Sequence, residues 1–111
     1  MNSLGKTTFR DLNQMTIDVA EKFFFAKKMQ EMNKGHLLGE TPLSGVDSFD
    51  NYLLKVQAAY ESLNDLEKNL INTEFFHQNY NHWWKPLYSK ATFYRYKKEA
   101  MQKFLGAVYD L

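Results

Sequence analysis

The chain of 111 residues contains no cysteine. Disulfides, zinc–thiolate centres and thiol nucleophiles are thereby excluded, and a reducing compartment suits the chain. Proline occurs only at Pro42 and Pro86, and three of the five glycines fall together at Gly35, Gly39 and Gly45. Long apolar runs are missing as well, because charges interrupt every stretch that approaches the length of a membrane span. The opening MNSLGKTTFRDL has neither the apolar middle nor the small-residue cleavage site of a secretory signal. A soluble cytoplasmic protein without a membrane partner is therefore expected. No stretch alternates at period two for long enough to suggest a sheet, and there is no internal repeat. With 24% charged residues and a net charge of +1, neither disorder nor a chain that binds polyanions throughout is indicated.

Catalytic signatures are also lacking. There is no Gly-rich phosphate loop, serine elbow or His–Asp relay, so an enzyme is not expected. The carboxylate pairs Asp47 with Asp50 and Asp65 with Glu67 read as helix caps. His77 and His82 lie five apart with Glu74 nearby, whereas two ligands on one helical face stand three or four apart, and no third ligand is evident. Neither a metal nor a cofactor is expected.

What is present is apolar and helical. Apolar residues make up 44% of the chain and aromatics 16%, ample for one core in a chain of single-domain length. Thr8 with Asp11 opens a helix over residues 8–33, on which Phe9, Leu12, Thr16, Val19, Phe23 and Ala26 recur at helical spacing. A second row holds Phe25, Met29 and Met32, with Phe24 between the rows. A helix apolar on two sides is either central in its own bundle or shared with a second molecule, so a homodimer through this helix is one reading. Gly35 ends it, and a connector at residues 35–46 contains Pro42. Asp47 or Ser48 then caps a second helix with Phe49, Tyr52, Leu53, Val56, Ala59 and Tyr60 on one face. Asn64 with Glu67 forms a capping pair for a third, carrying Leu66, Leu70, Ile71 and Phe75. Pro86 interrupts the aromatic stretch HQNYNHWWKPLY, so any helix there is short or starts at the proline. Ser89 stands where an N-cap belongs, and the chain then runs helically to about residue 109, weakened near its end by Gly106.

The small net charge hides an asymmetry. Residues 1–84 hold eight Lys or Arg against eleven Asp or Glu. Residues 85–103 hold Lys85, Lys90, Arg95, Lys97, Lys98 and Lys103 against Glu99 alone. A basic helix beside an acidic remainder suits a face that meets a polyanion, although a charge run is more often simply a solvated face. With Ser89 as cap, Phe93, Ala100, Phe104 and Val108 form the core stripe, with Tyr96 or Lys97 on its margin. Lys90, Ala91, Tyr94, Arg95 and Lys98 face the other way. Ala91 would let that end approach a groove closely, Arg95 could donate two bonds to a guanine, and Thr92, Lys97, Ser89 and Lys85 lie where phosphates could be reached.

The segments SLNDLEKNLINTEFF and YSKATFYRYKKEAMQKFL resemble the last helices of sigma-factor region four. They resemble still more the ArpU-type phage transcriptional regulators, through Ser89, Thr92, Phe93, Tyr94, Arg95, Lys97, Lys98, Ala100 and Phe104. The Trp-Trp and the ending after it are also similar to those of small mollicute proteins. The resemblance covers less than half of the chain. It implies a helix-turn-helix with residues 89–109 as the recognition helix, base contacts at Lys90, Ala91, Tyr94 and Arg95, and a phosphate contact at Thr92. NHWWKPLYS replaces the expected positioning helix, which would have to be very short.

Trp83 and Trp84 carry two readings, as core between the third and fourth helices or as a surface that anchors a partner. Met29 and Met32 offer an adaptable protein-binding surface. The expected architecture is an all-α bundle of four to five helices in one domain, residues 1–111. It comprises a long N-terminal helix (1–34), the connector, and a helical unit (47–111) ending in a helix-turn-helix-like pair. The leading function is DNA binding in transcriptional regulation. The alternative is a protein adaptor, for example on RNA polymerase, in which Trp83, Trp84, Met29 and Met32 meet the partner.

Overall fold

The computed structural model describes residues 4, 6–34, 46–77 and 82–109. Among them all regular structure is helical: α1 (Phe9–Lys34), α2 (Val46–Glu61), α3 (Asp65–Ile71) and α4 (Lys90–Tyr109). The expected all-α architecture is thus present with four α-helices. The connector at residues 35–45 and the side chains of Asp47 and Ser48 lie outside the described residues. No helix among the described residues is long and apolar enough to cross a membrane.

α1, α3 and α4 begin where side chains satisfy free N–H groups. At α1 the amide of Asp11 donates to Thr8 Oγ1 at 3.1 Å. Leu12, Thr16, Val19 and Ala26 are buried as their spacing predicts, and Ala20 joins them. Thr16 escapes the penalty of a buried hydroxyl by donating to the Leu12 carbonyl at 2.7 Å. The second row behaves differently, since Phe24, Phe25 and Met32 all remain exposed.

α2 returns along α1. The ring of Phe49 meets Phe25 edge-on, Gln30 Nε2 donates to Asp50 Oδ1 at 2.6 Å, and the Tyr52 hydroxyl donates to the Val19 carbonyl at 3.2 Å. The helix starts at Val46, one residue ahead of the earlier of the two expected caps. Leu53, Val56 and Ala59 carry its buried face.

α3 opens on a complete capping box. Asn64 Oδ1 accepts from the Glu67 amide at 2.8 Å, and Glu67 Oε1 accepts from the Asn64 amide at 2.9 Å. Leu70, Ile71 and Phe75 are buried, whereas Leu66 points outward, 39% exposed. The helix widens into a π-helical turn, Asn72–Phe76, closed by the His77 amide donating to the Asn72 carbonyl at 2.7 Å. One extra residue in the turn lets Thr73 and Phe75 be buried with Phe76 packed at the core margin, so two successive phenylalanines both find contacts.

A tight turn over residues 82–87 precedes α4. It starts at His82 with φ 65°, a left-handed backbone that histidine tolerates better than branched residues. The amides of Leu87 and Tyr88 both donate to the Trp84 carbonyl at 2.9 Å. Pro86 fits because the first turn of such an element needs no N–H from it. A helix-turn-helix joins its helices by three or four residues. Here residues 77–89 separate the π-helical turn from α4, and this single turn is what the described part of them forms.

α4 is the centre of the molecule and packs against α1, α2 and α3. Phe93, Ala100, Met101, Phe104, Leu105 and Val108 are all buried on it. Trp84 lies flat on Phe93, with centroids 4.5 Å apart and planes 7° from parallel. Leu4, ahead of α1, is buried in the same core.

Candidate nucleic-acid interface

The N-terminal half of α4 begins at a serine cap. Ser89 Oγ accepts from the Thr92 amide at 3.2 Å and donates to Thr92 Oγ1 at 2.9 Å. Both hydroxyls are therefore already engaged at the helix start, and Thr92 is half-buried. Lys85, Lys90, Ala91, Tyr94 and Arg95 are exposed, and Lys98 is half-buried. The side chains proposed to read bases thus share one end of α4.

The six cations of residues 85–103 fall into two groups. Lys97 Nζ pairs with Glu74 Oε1 at 2.9 Å, and the two side chains are only 12% and 19% exposed. The same ammonium lies 5.2 Å from the Phe75 ring centroid and 5.6 Å from that of Phe9. Lys97, an expected phosphate contact, has its ammonium directed to an internal partner instead. The reason is tertiary: the π-helical turn brings a carboxylate to it from 23 residues away. Lys103 reaches Glu67 Oε2 at 2.7 Å, and the hydrogen bond to that carboxylate, with its charge, raises the lysine above its ordinary pKa.

Lys85, Lys90, Arg95 and Lys98 form no ion pair among the described residues. Lys85, Lys90 and Arg95 are open to solvent around the start of α4, and Lys98 follows half-buried in its third turn. The Arg95 guanidinium lies 5.2 Å from the Tyr96 ring centroid, and Tyr96 is braced edge-on by Tyr88 at 5.6 Å. This support limits the directions in which Arg95 extends. Tyr94 is braced likewise, with its ring edge-on to Phe9 of α1 at 5.3 Å.

The tryptophans are taken up internally. Trp84 is 7% exposed in its stack on Phe93, so it has little surface to offer a partner. Trp83 is half-buried and donates through Nε1 to Glu74 Oε2 at 2.8 Å. Glu74 therefore gives one oxygen to Lys97 and the other to Trp83, which ties the segment before α4 to α4 itself. Sequence reasoning took Glu74 only as a neighbour of two histidines. Nothing local marks its role, because both partners are distant along the chain.

The other apolar surface lies on α1 and α2. Met29 is half-buried and Met32 exposed. A groove of about 600 Å³ runs between α1 and α2, lined in part by Phe23, Phe24, Leu53, Leu54, Tyr60 and Phe76.

Comparison of the chain with protein-family models, curated proteins and solved structures finds no match.

Proposed function

We propose that this protein binds duplex DNA in transcriptional control, with the N-terminal half of α4 as the element that enters the major groove. The observation that carries this reading is the sorting of charge. Glu74 and Glu67 hold Lys97 and Lys103, while Lys85, Lys90, Arg95 and Lys98 have no carboxylate partner among the described residues. Other cations without an ion pair among the described residues, such as Lys22, Lys27 and Lys28, lie along α1 among acidic neighbours, whereas residues 85–98 carry no carboxylate of their own and lead into the capped end of α4, where the backbone dipole also favours a phosphate. The partial resemblance to ArpU-type regulators and to sigma region four points to the same stretch.

The chemistry of each residue follows from its place. Arg95, steadied on Tyr96, is the bidentate donor for a guanine. Ala91 gives the close approach, and Lys90 and Tyr94 flank it at the base edges. Lys98 and Lys85 neutralise phosphates. Ser89 presets the helix start that faces a phosphate, and the Thr92 hydroxyl, which only accepts from Ser89, has its own O–H to donate to that phosphate. Lys97 acts from inside, as the tie that fixes the rotation of α4.

Substitution at the open face tests the reading. Lys98→Ala should weaken binding to every sequence, and Arg95→Ala should cost about 1–3 kcal/mol while relaxing preference at one base pair. Binding that survives both, with the same sequence preference, would remove α4 from the interface.

A specific observation favours a second reading. Phe24 and Leu54, both exposed, line the α1–α2 groove, and Phe25 and Met32 are exposed on the same α1, apolar surface of the kind that partners cover. A protein partner such as RNA polymerase, or a second copy meeting α1, would cover it. Phe25→Ser with Leu54→Ser would then abolish the association and leave DNA binding intact.

A further inference from the structure

Two contacts fix the segment ahead of α1 against α4. The Leu4 carbonyl accepts from Gln102 Nε2 at 3.4 Å, and the Leu4 side chain is buried. Five residues on, Phe9 meets Tyr94 edge-on at 5.3 Å. Tyr94 and Gln102 stand two turns apart on one row of α4, and Lys98 is the residue between them on that row. The row spans about 12 Å, a distance that five residue steps containing one turn can cover. The turn is present, since the Thr7 amide donates to the Leu4 carbonyl at 3.0 Å. The N-terminal segment therefore runs beside Lys98, consistent with the partial burial of that lysine.

This segment is basic. Lys6 lies between the two anchors and Arg10 directly follows the second; both are exposed and neither forms an ion pair among the described residues. Arg10 is about 100° round α1 from Phe9, and the nearest carboxylate in sequence, Asp11, is a further 100° away. The open cations of α4 thus continue onto a second element.

We propose that Lys6 and Arg10 form a second phosphate-binding site, which takes the DNA backbone flanking the groove occupied by α4. This rests on the DNA-binding reading above. The α4 cations bind at one side of the groove and the N-terminal segment reaches the neighbouring backbone. The phosphate contacts rise from two, Lys85 and Lys98, to four, so log K falls with log salt at a slope of about −3.6 where those two alone give about −1.8.

The test compares two double variants of the full chain on one duplex over a salt series. Lys6→Ala/Arg10→Ala should make the slope shallower by about two at unchanged helicity. Lys27→Ala/Lys28→Ala, more than about four turns from Arg10 along α1, should keep the wild-type slope. An unchanged slope in the first variant, while Lys90→Ala/Arg95→Ala/Lys98→Ala abolishes binding, would overturn this inference and leave the α4 interface standing. Equal flattening in both double variants would overturn it too, since only the overall charge would then matter. Wild-type protein that fails to bind any duplex would remove the DNA-binding reading and this site with it.

Discussion

Glu74 Oε1 and Lys97 Nζ stand 2.9 Å apart with little of either side chain in water, and the second oxygen of the same carboxylate holds the indole N–H of Trp83. One side chain on the π-helical turn thereby fixes both α4 and the turn that leads into it. A largely buried pair of this kind makes its loss costly, because either member alone is a charge without compensation.

Glu74→Ala should therefore destabilise the fold by about 2–3 kcal/mol, below the full cost of a deeply buried pair because some exposure remains. Replacing both members by apolar residues of similar size, Glu74→Leu with Lys97→Met, should recover the pair's share of that loss and leave about 1–2 kcal/mol, the cost of the Trp83 hydrogen bond that Glu74 also accepts. Urea denaturation of the three proteins measures this. Equal losses in the single and double variants would mean that the pair does not act as a unit. DNA affinity provides a second readout: Lys97→Met in the Glu74→Leu background should leave it nearly unchanged, whereas Lys98→Ala should not.

The stack of Trp84 on Phe93 is the second brace of the interface, and it lies under Tyr94. Trp84→Ala should cost about 3–5 kcal/mol, as large aromatic deletions from a core do. Trp83→Phe should cost about 1–2 kcal/mol, the loss of one hydrogen bond to a charged acceptor. With two tryptophans in the chain, Trp83→Phe also isolates the emission of Trp84. A blue-shifted, poorly quenched spectrum is expected, and an emission maximum like that of free tryptophan would show that the indole is not in the core.

Alkaline pH should weaken the α1–α2 contact. Burial, with the charge of Tyr109 adding to it, pushes the Tyr52 phenol up to about 12. The folded state keeps its proton after the unfolded chain, with an ordinary phenol near 10, has begun to release it. The unfolded state then binds fewer protons, so stability is fully present below about pH 10 and falls as pH rises through about 12. Tyr52→Phe should flatten that part of the profile in chemical denaturation at pH 8 to 12. An identical alkaline slope in wild type and variant would rule out Tyr52 as its source.

Much of the fold was legible because its determinants are local. Thr8, Asn64 with Glu67, and Ser89 cap their helices as their spacing predicts, and the row from Leu12 to Ala26 is buried because helical period alone puts it on one side. Leu66 was misleading for the opposite reason, and the row of Phe25 and Met32 was legible only as either core or shared surface. Their periodicity is as apolar as that of their buried neighbours, and only the placement of other helices decides which row is covered. Charge shows the same division. The basic run of residues 85–103 is plain in the sequence, but its partition into open and internally held cations depends on Glu74 and Glu67, which lie dozens of residues away in some pairings. Leu4 gave no signal at all, since one leucine outside a helix has no period to reveal it.

The most direct test titrates the purified protein against labelled duplex DNA at about 50 and 200 mM salt, the range over which phosphate contacts dominate the change in affinity. Binding at the lower salt that falls by about two orders of magnitude or more at the higher one, and that is lost in the Lys90→Ala/Arg95→Ala/Lys98→Ala variant, is the expected result. A folded, helical protein that leaves the DNA free at the lower salt would contradict DNA binding and turn attention to the exposed apolar face of α1 and α2.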